Sequence, residues 1–185
     1  WYDHVALAKR QPGSTFKPFV YTAAIHNGWS PYYTLRDTFF TYTDAAGNVW
    51  SPTNTGGVTG NLRTLREGLA QSKHTITGQL ILEVGASEVA FFARRMGIKS
   101  ELDEVPSLAL GTSDVKLLEM ASAYSTLANG GLYYEPTVVT RIEDRFGNVL
   151  YESHPAPQEA LSEETAYTMV DMMRGVIQEG TGVRI

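Results

Sequence analysis

The hydrophobic pattern near the start of the chain predicts a helix over residues 14–27. Its apolar positions recur every three or four residues, the spacing that gathers side chains on one helix face. They are Phe16, Phe19, Val20, Ala23 and Ala24. Gly28 suits the end of this helix, because glycine readily adopts the left-handed conformation that follows a last turn. Pro18 is tolerated only in a first turn, so the helix is expected to begin near Gly13 or Ser14.

A block of helical patterns follows between residues 64 and 128. The first predicted helix covers residues 64–71, with Thr64 as a possible cap, and the second covers residues 75–84. The third is capped by Ser87 and ended by Gly97. The fourth is capped by Ser113 or Asp114 and ended at residues 129–131. The second and the fourth are apolar on most sides, which predicts interior positions.

A last amphipathic helix is predicted after Ser162, its cap, with Glu163 and Glu164 in the first turn. Its expected buried stripe is Ala166, Met169, Val170, Met173, Val176 and Ile177.

Two stretches predict β-hairpins instead. Residues 38–43 and 49–50 flank a plausible loop at 44–48, and residues 138–143 alternate before a turn at 146–148 and a returning strand. Strands before and after a helical block indicate an α+β fold, a helical block against an antiparallel sheet.

Composition narrows the function classes. The 185 residues favour one domain, and a net charge of −5 with a pI near 5.4 argues against nucleic acid as the main partner. There is no cysteine, hence no disulfide framework and no thiolate metal site. No apolar run is long enough to cross a bilayer. We interpret both ends, Trp1 and Ile185, as cut, so that any membrane anchor or second domain is expected outside the chain.

Ser14 and Lys17 form the first candidate for chemistry. Residues three apart share a helix face, and the N-terminus of a helix favours negative charge. A lysine with a depressed pKa can activate a neighbouring serine as a nucleophile. The S-x-x-K pattern is weak by itself, and the alternative is a serine N-cap followed by a solvated lysine.

Ser72-Lys73-His74 is the second candidate. It lies in a short connection between two predicted helices, where a serine can point into a cleft and relay protons. The alternative is that Ser72 only caps the following helix.

Other chemistries have little support. The four histidines, His4, His26, His74 and His154, lack ligand spacing, so no metal and no cofactor are expected. A Ser-His-Asp triad stays open, although no serine lies in a G-x-S-x-G elbow. The glycine-rich segments do not fit a phosphate-binding loop.

Residues 10–19 (RQPGSTFKPF) closely resemble the active-serine segment of the penicillin-binding transpeptidases, above all the bifunctional class A enzymes that build bacterial peptidoglycan. The resemblance continues in order along essentially the whole chain. It includes residues 50–54 (WSPTN), 65–72 (LREGLAQS), 106–113 (PSLALGTS), 119–124 (EMASAY), 173–177 (MRGVI) and 180–182 (GTG). The resemblance implies the penicillin-binding/β-lactamase-like transpeptidase fold in incomplete form, with residues 1–185 as a partial transpeptidase domain.

The resemblance also implies roles for individual residues. Ser14 attacks the carbonyl of the penultimate D-Ala of a peptidoglycan stem peptide, and Lys17 takes its proton. Ser72 relays the proton to the leaving group, and the backbone N–H of Ser14 stabilises the oxyanion. An amine of a second stem peptide then forms the cross-link. β-Lactam antibiotics mimic D-Ala-D-Ala and acylate Ser14.

Two departures from the family pattern bear on activity. His74 stands where the S-x-N motif has asparagine, so substrate positioning is expected to be weakened or lost. The K-T-G strand does not occur in the chain; Gly180-Thr181-Gly182 resembles the segment before it. The glycosyltransferase domain and membrane anchor are expected before Trp1, with the protein on the periplasmic face of the cytoplasmic membrane and the fragment alone inactive.

Three alternatives remain open at this point. His74 favours a binding or regulatory module on the same fold with impaired catalysis. A β-lactamase would need a deacylating base, for which Glu67, Glu83 and Glu88 are available without a motif that marks one. A Ser-Lys dyad protease is the remaining alternative.

Overall fold

Helix α1 (Lys17–His26) lies at the centre of the protein, which we describe from a computed structural model covering residues 1–184. Every α1 residue from Lys17 to Ala24 is buried, because other helices pack on several sides of it. The remaining α-helices of the described residues are α2 (Leu65–Ala70), α3 (His74–Val84), α4 (Ala86–Arg95), α5 (Leu117–Ala128) and α6 (Glu163–Gln178). Helices α3, α4 and α6 all contact α1. The central helix therefore has a wider buried surface than its apolar stripe predicts.

Short 3₁₀ turns and strands complete the described part of the chain. The 3₁₀ turns are Gly13–Phe16 and Pro106–Leu110. The antiparallel strand pairs are β1 (Lys9–Arg10) with β6 (Val115–Lys116), β2 (Thr34–Arg36) with β5 (Leu62–Thr64), β3 (Tyr42–Thr43) with β4 (Val49–Trp50), β7 (Leu132–Tyr133) with β10 (Gln158–Glu159), and β8 (Arg141–Glu143) with β9 (Val149–Glu152). The α+β class is confirmed, with the antiparallel strands divided among five small sheets.

Several helix signals in the sequence are confirmed. Thr64 forms a complete capping box with Glu67 at the start of α2, and the Ser162 hydroxyl accepts a hydrogen bond from the Thr165 N–H at the start of α6. Helix α3 is largely buried and ends before Gly85, as its composition predicts. Both hairpins form, with β3 shorter than its pattern suggests.

Two cap predictions are wrong. Gly85 precedes α4, and Ser87 lies inside that helix. Lys116 precedes α5, because the residues after Ser113 and Asp114 first pair as strand β6 with β1. The predicted cap of α4 is wrong because the single residue Gly85 both ends α3 and precedes α4, and that of α5 is wrong because strand β6 comes first.

Two predictions of burial are also wrong. In α5, Leu117 and Leu118 are 60% and 39% exposed, so the helix lies at the surface and not in the interior. In α6, Val170 and Ile177 are exposed, and Met172 and Gly175 are buried instead. Composition shows how apolar a helix is, but the number of neighbours that cover it is set by the tertiary fold.

No single helix within residues 1–184 has both the length and the apolar character needed to span a membrane. The consecutive helices α3 and α4, bent by 94°, reach that threshold together by length and composition alone.

Candidate active site

Ser14 lies in the 3₁₀ turn that leads directly into α1. The α-helix itself begins at Lys17, about one turn later than the predicted start near Gly13 or Ser14. The Gly13 N–H donates to the Gly111 carbonyl at 3.3 Å, and the Tyr124 hydroxyl donates to the Thr15 carbonyl at 2.7 Å. These two bonds hold the turn from its outer side. The Ser14 side chain is exposed, and within residues 1–184 neither its hydroxyl nor its backbone N–H forms a hydrogen bond. Both groups are therefore available to a ligand.

Lys17 is the first residue of α1 and is only 1% exposed. A 3₁₀ turn has three residues per turn, so Ser14 and Lys17 are aligned on one side. The Lys17 Nζ donates to the Ser72 carbonyl at 2.6 Å and to the Ser72 Oγ at 2.7 Å. Among the described residues no carboxylate forms an ion pair with it, and burial lowers the pKa of Lys17 to about 7.

These observations contradict the reading of Ser14 as a helix cap with a solvated lysine. Pro12 precedes the 3₁₀ turn and Phe16 precedes α1, and neither forms a side-chain cap. A lysine buried without an acidic partner is costly and rare. Such a group is a candidate for chemistry that needs a neutral amine near pH 7.

Ser72 lies between α2 and α3 with φ of +53°, a conformation usually taken by glycine. Its N–H donates to the Leu69 carbonyl, and the next N–H, of Lys73, donates to the Gly68 carbonyl. This pair of bonds is the Schellman motif that ends α2. Ser72 thus does not cap α3, which is preceded by Lys73. The turn aims both the carbonyl and the hydroxyl of Ser72 at Lys17.

His74 begins α3 and is half-buried. Burial lowers the pKa of His74, the nearby Lys17 charge lowers it further, and the backbone of Thr53 partly offsets both. The ring is therefore neutral at pH 7, with one nitrogen able to donate and the other to accept. The structure brings Lys17 and Ser72 into direct contact. Ser14 lies on the same side of its turn as Lys17, and His74 follows Ser72 by two residues at the start of α3.

Sequence reasoning missed three contributors to this geometry. Gly111 and Tyr124 hold the Ser14 turn, and both fall in segments that carry the family resemblance, which could have marked them. Asp37 is fully buried beside the Ser72 turn and has no signal in the hydrophobic pattern.

Features outside this cluster, within the described residues, add no catalytic group to it. A cavity of about 570 Å³, lined by α5 and the outer side of the Ser14 turn, touches none of Ser14, Lys17, Ser72 or His74. Within residues 1–184 no group of histidine and acidic side chains is arranged to hold a metal ion. Glu67, one of the three glutamates considered as a β-lactamase base, accepts the Thr64 N–H in the α2 capping box and so has a structural role.

The chain is similar in sequence to known proteins over nearly its whole length. A family model described as the penicillin-binding protein transpeptidase domain matches residues 1–184. Penicillin-binding protein 2D of Bacillus subtilis (strain 168) is 39% identical over 178 residues, which are 95% of this chain and 26% of that protein. The chain thus spans about a quarter of the length of that relative.

Solved structures share the fold. Penicillin-binding protein 1A from Haemophilus influenzae superposes with a TM-score of 0.92 at 26% identity, covering 99% of this chain and 33% of that one. The PonA1 protein from Mycobacterium tuberculosis in complex with penicillin V gives a TM-score of 0.83 at 25% identity, covering 96% of this chain and 50% of that one. These matches confirm the family indicated by the sequence motifs. The chain belongs to the penicillin-binding protein transpeptidase domain family.

Proposed function

We propose that this chain carries the nucleophile, base and proton relay of a serine D,D-transpeptidase that cross-links peptidoglycan stem peptides. The observation that supports this most strongly is the burial of Lys17, which pairs with no carboxylate in residues 1–184, is held by Ser72 and lies three residues after an exposed serine. A lysine whose pKa is about 7 supplies a neutral amine at physiological pH. That is the base that a serine nucleophile requires.

The contacts of Lys17 suggest how the proton moves. A neutral amine has two N–H groups and one lone pair, and the two oxygens of Ser72 can take both N–H groups. The lone pair is then left for the hydroxyl proton of Ser14. As Ser14 Oγ bonds to the penultimate D-Ala carbonyl, Lys17 takes this proton. The Ser14 N–H stabilises the oxyanion, a donor of a kind worth about 3–4 kcal/mol.

Collapse of this intermediate breaks the peptide C–N bond. Lys17 passes a proton to the Ser72 hydroxyl, which gives its own proton to the departing D-Ala nitrogen. The stem peptide stays bound to Ser14 as an ester. An amine of a second stem peptide then attacks the ester, loses a proton to Lys17 and releases Ser14, which regains its proton.

β-Lactams are expected to acylate Ser14 by the same first step, since their ring amide takes the place of the D-Ala-D-Ala amide. The similarity to a solved protein in complex with penicillin V supports this ligand class. Stem peptides lie outside the cytoplasmic membrane, so the proposal assigns the chain to the extracytoplasmic side.

The second candidate is a module on the same fold with impaired catalysis, and His74 favours it. The ring of His74 donates from one nitrogen and accepts at the other, along directions that diverge across the ring. The amide of asparagine presents its donor and acceptor side by side. An imidazole therefore has the right groups in a different geometry, and only measurement of acylation separates the two candidates.

Replacing Ser14 tests the nucleophile. We expect the full-length protein to gain the mass of one penicillin molecule, and Ser14→Ala to lose covalent labelling by a factor of about 10³ or more. Ser87→Ala, an exposed serine inside α4, is the matched control and keeps normal labelling. Intact-mass spectrometry checks both, and undiminished labelling of Ser14→Ala would contradict the assignment.

The pH dependence of acylation tests the base. Lys17 acts only when neutral, so the rate rises with pH and reaches a plateau, with a midpoint near the pKa of about 7. About a tenth of Lys17 is neutral one pH unit below that midpoint and about nine-tenths one unit above it. Stopped-flow acylation by a penicillin measures the profile. A midpoint that disappears in His74→Asn would assign the titration to His74 and refute the assignment to Lys17.

Restoring asparagine at position 74 separates the two candidate functions. If the His74 ring positions substrate poorly, His74→Asn raises the acylation rate by roughly tenfold, the effect of about one recovered hydrogen bond. An unreactive wild type with a reactive His74→Asn variant identifies an impaired module. Equal rates show that the imidazole is fully tolerated.

A further inference from the structure

We propose that Asp37, a buried carboxylate outside the segments that carry the family resemblance, is a positioning residue for the Ser72-Lys73-His74 turn. This inference rests on the proposed transpeptidase function. Asp37 directly follows strand β2 and is fully buried. The backbone of Asp37 is held in place, since its N–H donates to the Asn61 carbonyl and its carbonyl accepts from the Gly60 N–H.

The carboxylate of Asp37 is saturated with hydrogen bonds. Its Oδ1 accepts from Asn54 Nδ2 and from Thr75 Oγ1, both at 2.7 Å. Its Oδ2 accepts from Thr59 Oγ1 at 2.9 Å and from the Thr59 N–H at 3.1 Å. Burial raises the pKa of Asp37, but the bonds from Thr75, Thr59 and Asn54 outweigh it and lower the pKa to about 2. Asp37 is therefore a fixed negative charge under all physiological conditions.

This charge contacts the residues on both sides of His74, the first of which directly follows Ser72. Lys73 Nζ lies 3.5 Å from Asp37 Oδ2, with its side chain only 14% exposed. Thr75, the residue after His74, donates its hydroxyl to Asp37 and its N–H to Asn54 Oδ1 at 3.1 Å. The Asn54 amide links these groups, because it also donates to Asp37. Movement of the turn would break contacts on both flanks.

Asn54 also connects the network to His74. The backbone of Thr53, the residue before Asn54, lies near enough to the His74 ring to oppose the lowering of its pKa. Since Asn54 is bonded to both Asp37 and Thr75, the backbone of Thr53 is fixed relative to the first turn of α3. The same carboxylate is therefore bonded to the residues next to both the His74 ring and the Thr53 backbone.

The turn needs such support because its own geometry is strained. Ser72 has a positive φ without being glycine, a state that persists only where surrounding contacts enforce it. Helix α3 has no side-chain cap at Lys73, and Asn54 accepts a first-turn N–H in its place. The Asp37 charge also lies at the N-terminus of α3, where the helix dipole favours an anion. By holding this turn, Asp37 keeps the Ser72 oxygens on Lys17 without touching substrate.

The experiment compares Asp37→Asn with the wild type in the full-length protein. Penicillin acylation followed by stopped flow at several concentrations separates the dissociation constant from the acylation rate constant. We expect the rate constant to fall by about tenfold to a hundredfold, with a change of less than about threefold in the dissociation constant, because misplacement of Ser72 affects chemistry more than encounter. Asp144→Asn is the matched control, since Asp144 makes a similar set of hydrogen bonds in the exposed β8–β9 loop.

Variants of Lys73 keep the inference testable if Asp37→Asn does not fold. Lys73→Met removes the cation and is expected to slow acylation about tenfold, whereas Lys73→Arg keeps the ion pair and restores the rate to within about threefold. A purely structural contribution would lower the thermal stability of Lys73→Met and leave its acylation rate constant equal to that of Lys73→Arg. Equal acylation rate constants in the wild type, Asp37→Asn and Lys73→Met would overturn the inference.

A spectroscopic measurement separates this inference from the proposed function. The imidazole NMR signals of His74, assigned with His74→Asn, should shift in Asp37→Asn and Lys73→Met but not in Asp144→Asn. An unreactive wild type would refute the proposed function, yet shifted His74 signals would still support the positioning role of Asp37. Unmoved His74 signals in folded variants would overturn that role even if the wild type reacts with penicillin.

Discussion

The burial of the Lys17 ammonium group is the constraint on which the site depends. The side chain is almost fully enclosed, and its two close partners are oxygens of the same residue, Ser72. Neutral oxygens offset less of the cost of burying a cation than a carboxylate would. The charged form is therefore disfavoured, and the pKa falls to about 7. Burying this amine lowers the stability of the folded protein, and the same burial makes Lys17 a base that can act at neutral pH.

The surrounding structure holds the Lys17 amine against the two oxygens of Ser72. Helix α1 is enclosed on several sides, and Lys17 is left only 1% exposed. Ser72 adopts a left-handed conformation that directs two acceptors at one amine. Asp37 carries the only carboxylate close to Lys73 among the described residues, and it faces Lys73 and not Lys17. The nearby anion thus anchors the turn without raising the pKa of the base.

The sequence predicts the local part of this account well. Because Pro18 is tolerated only in a first helical turn, the sequence predicts a helix start close to Ser14. The Thr64 and Ser162 caps are confirmed, since both depend on bonds within four residues. The 3₁₀ turn before α1, the burial of Lys17 and the Asp37 network could not be predicted from the hydrophobic pattern. Each depends on contacts between residues distant in sequence, such as the 55 positions that separate Lys17 from Ser72. The wrong cap before α5 has the same cause, since the pairing of β6 with β1 comes before the helix begins.

The central claim is that burial lowers the pKa of Lys17 to about 7, so that about half of its amine is neutral near pH 7, and a direct titration tests it. The ¹³Cε signal of Lys17, assigned as the lysine signal that is missing in Lys17→Met, can be followed by NMR across the pH range. The account predicts a midpoint near 7, since burial without a carboxylate lowers the pKa to about that value. A midpoint near the ordinary lysine pKa of about 10.4 would contradict the claim, because Lys17 would then be charged whenever Ser14 meets its substrate.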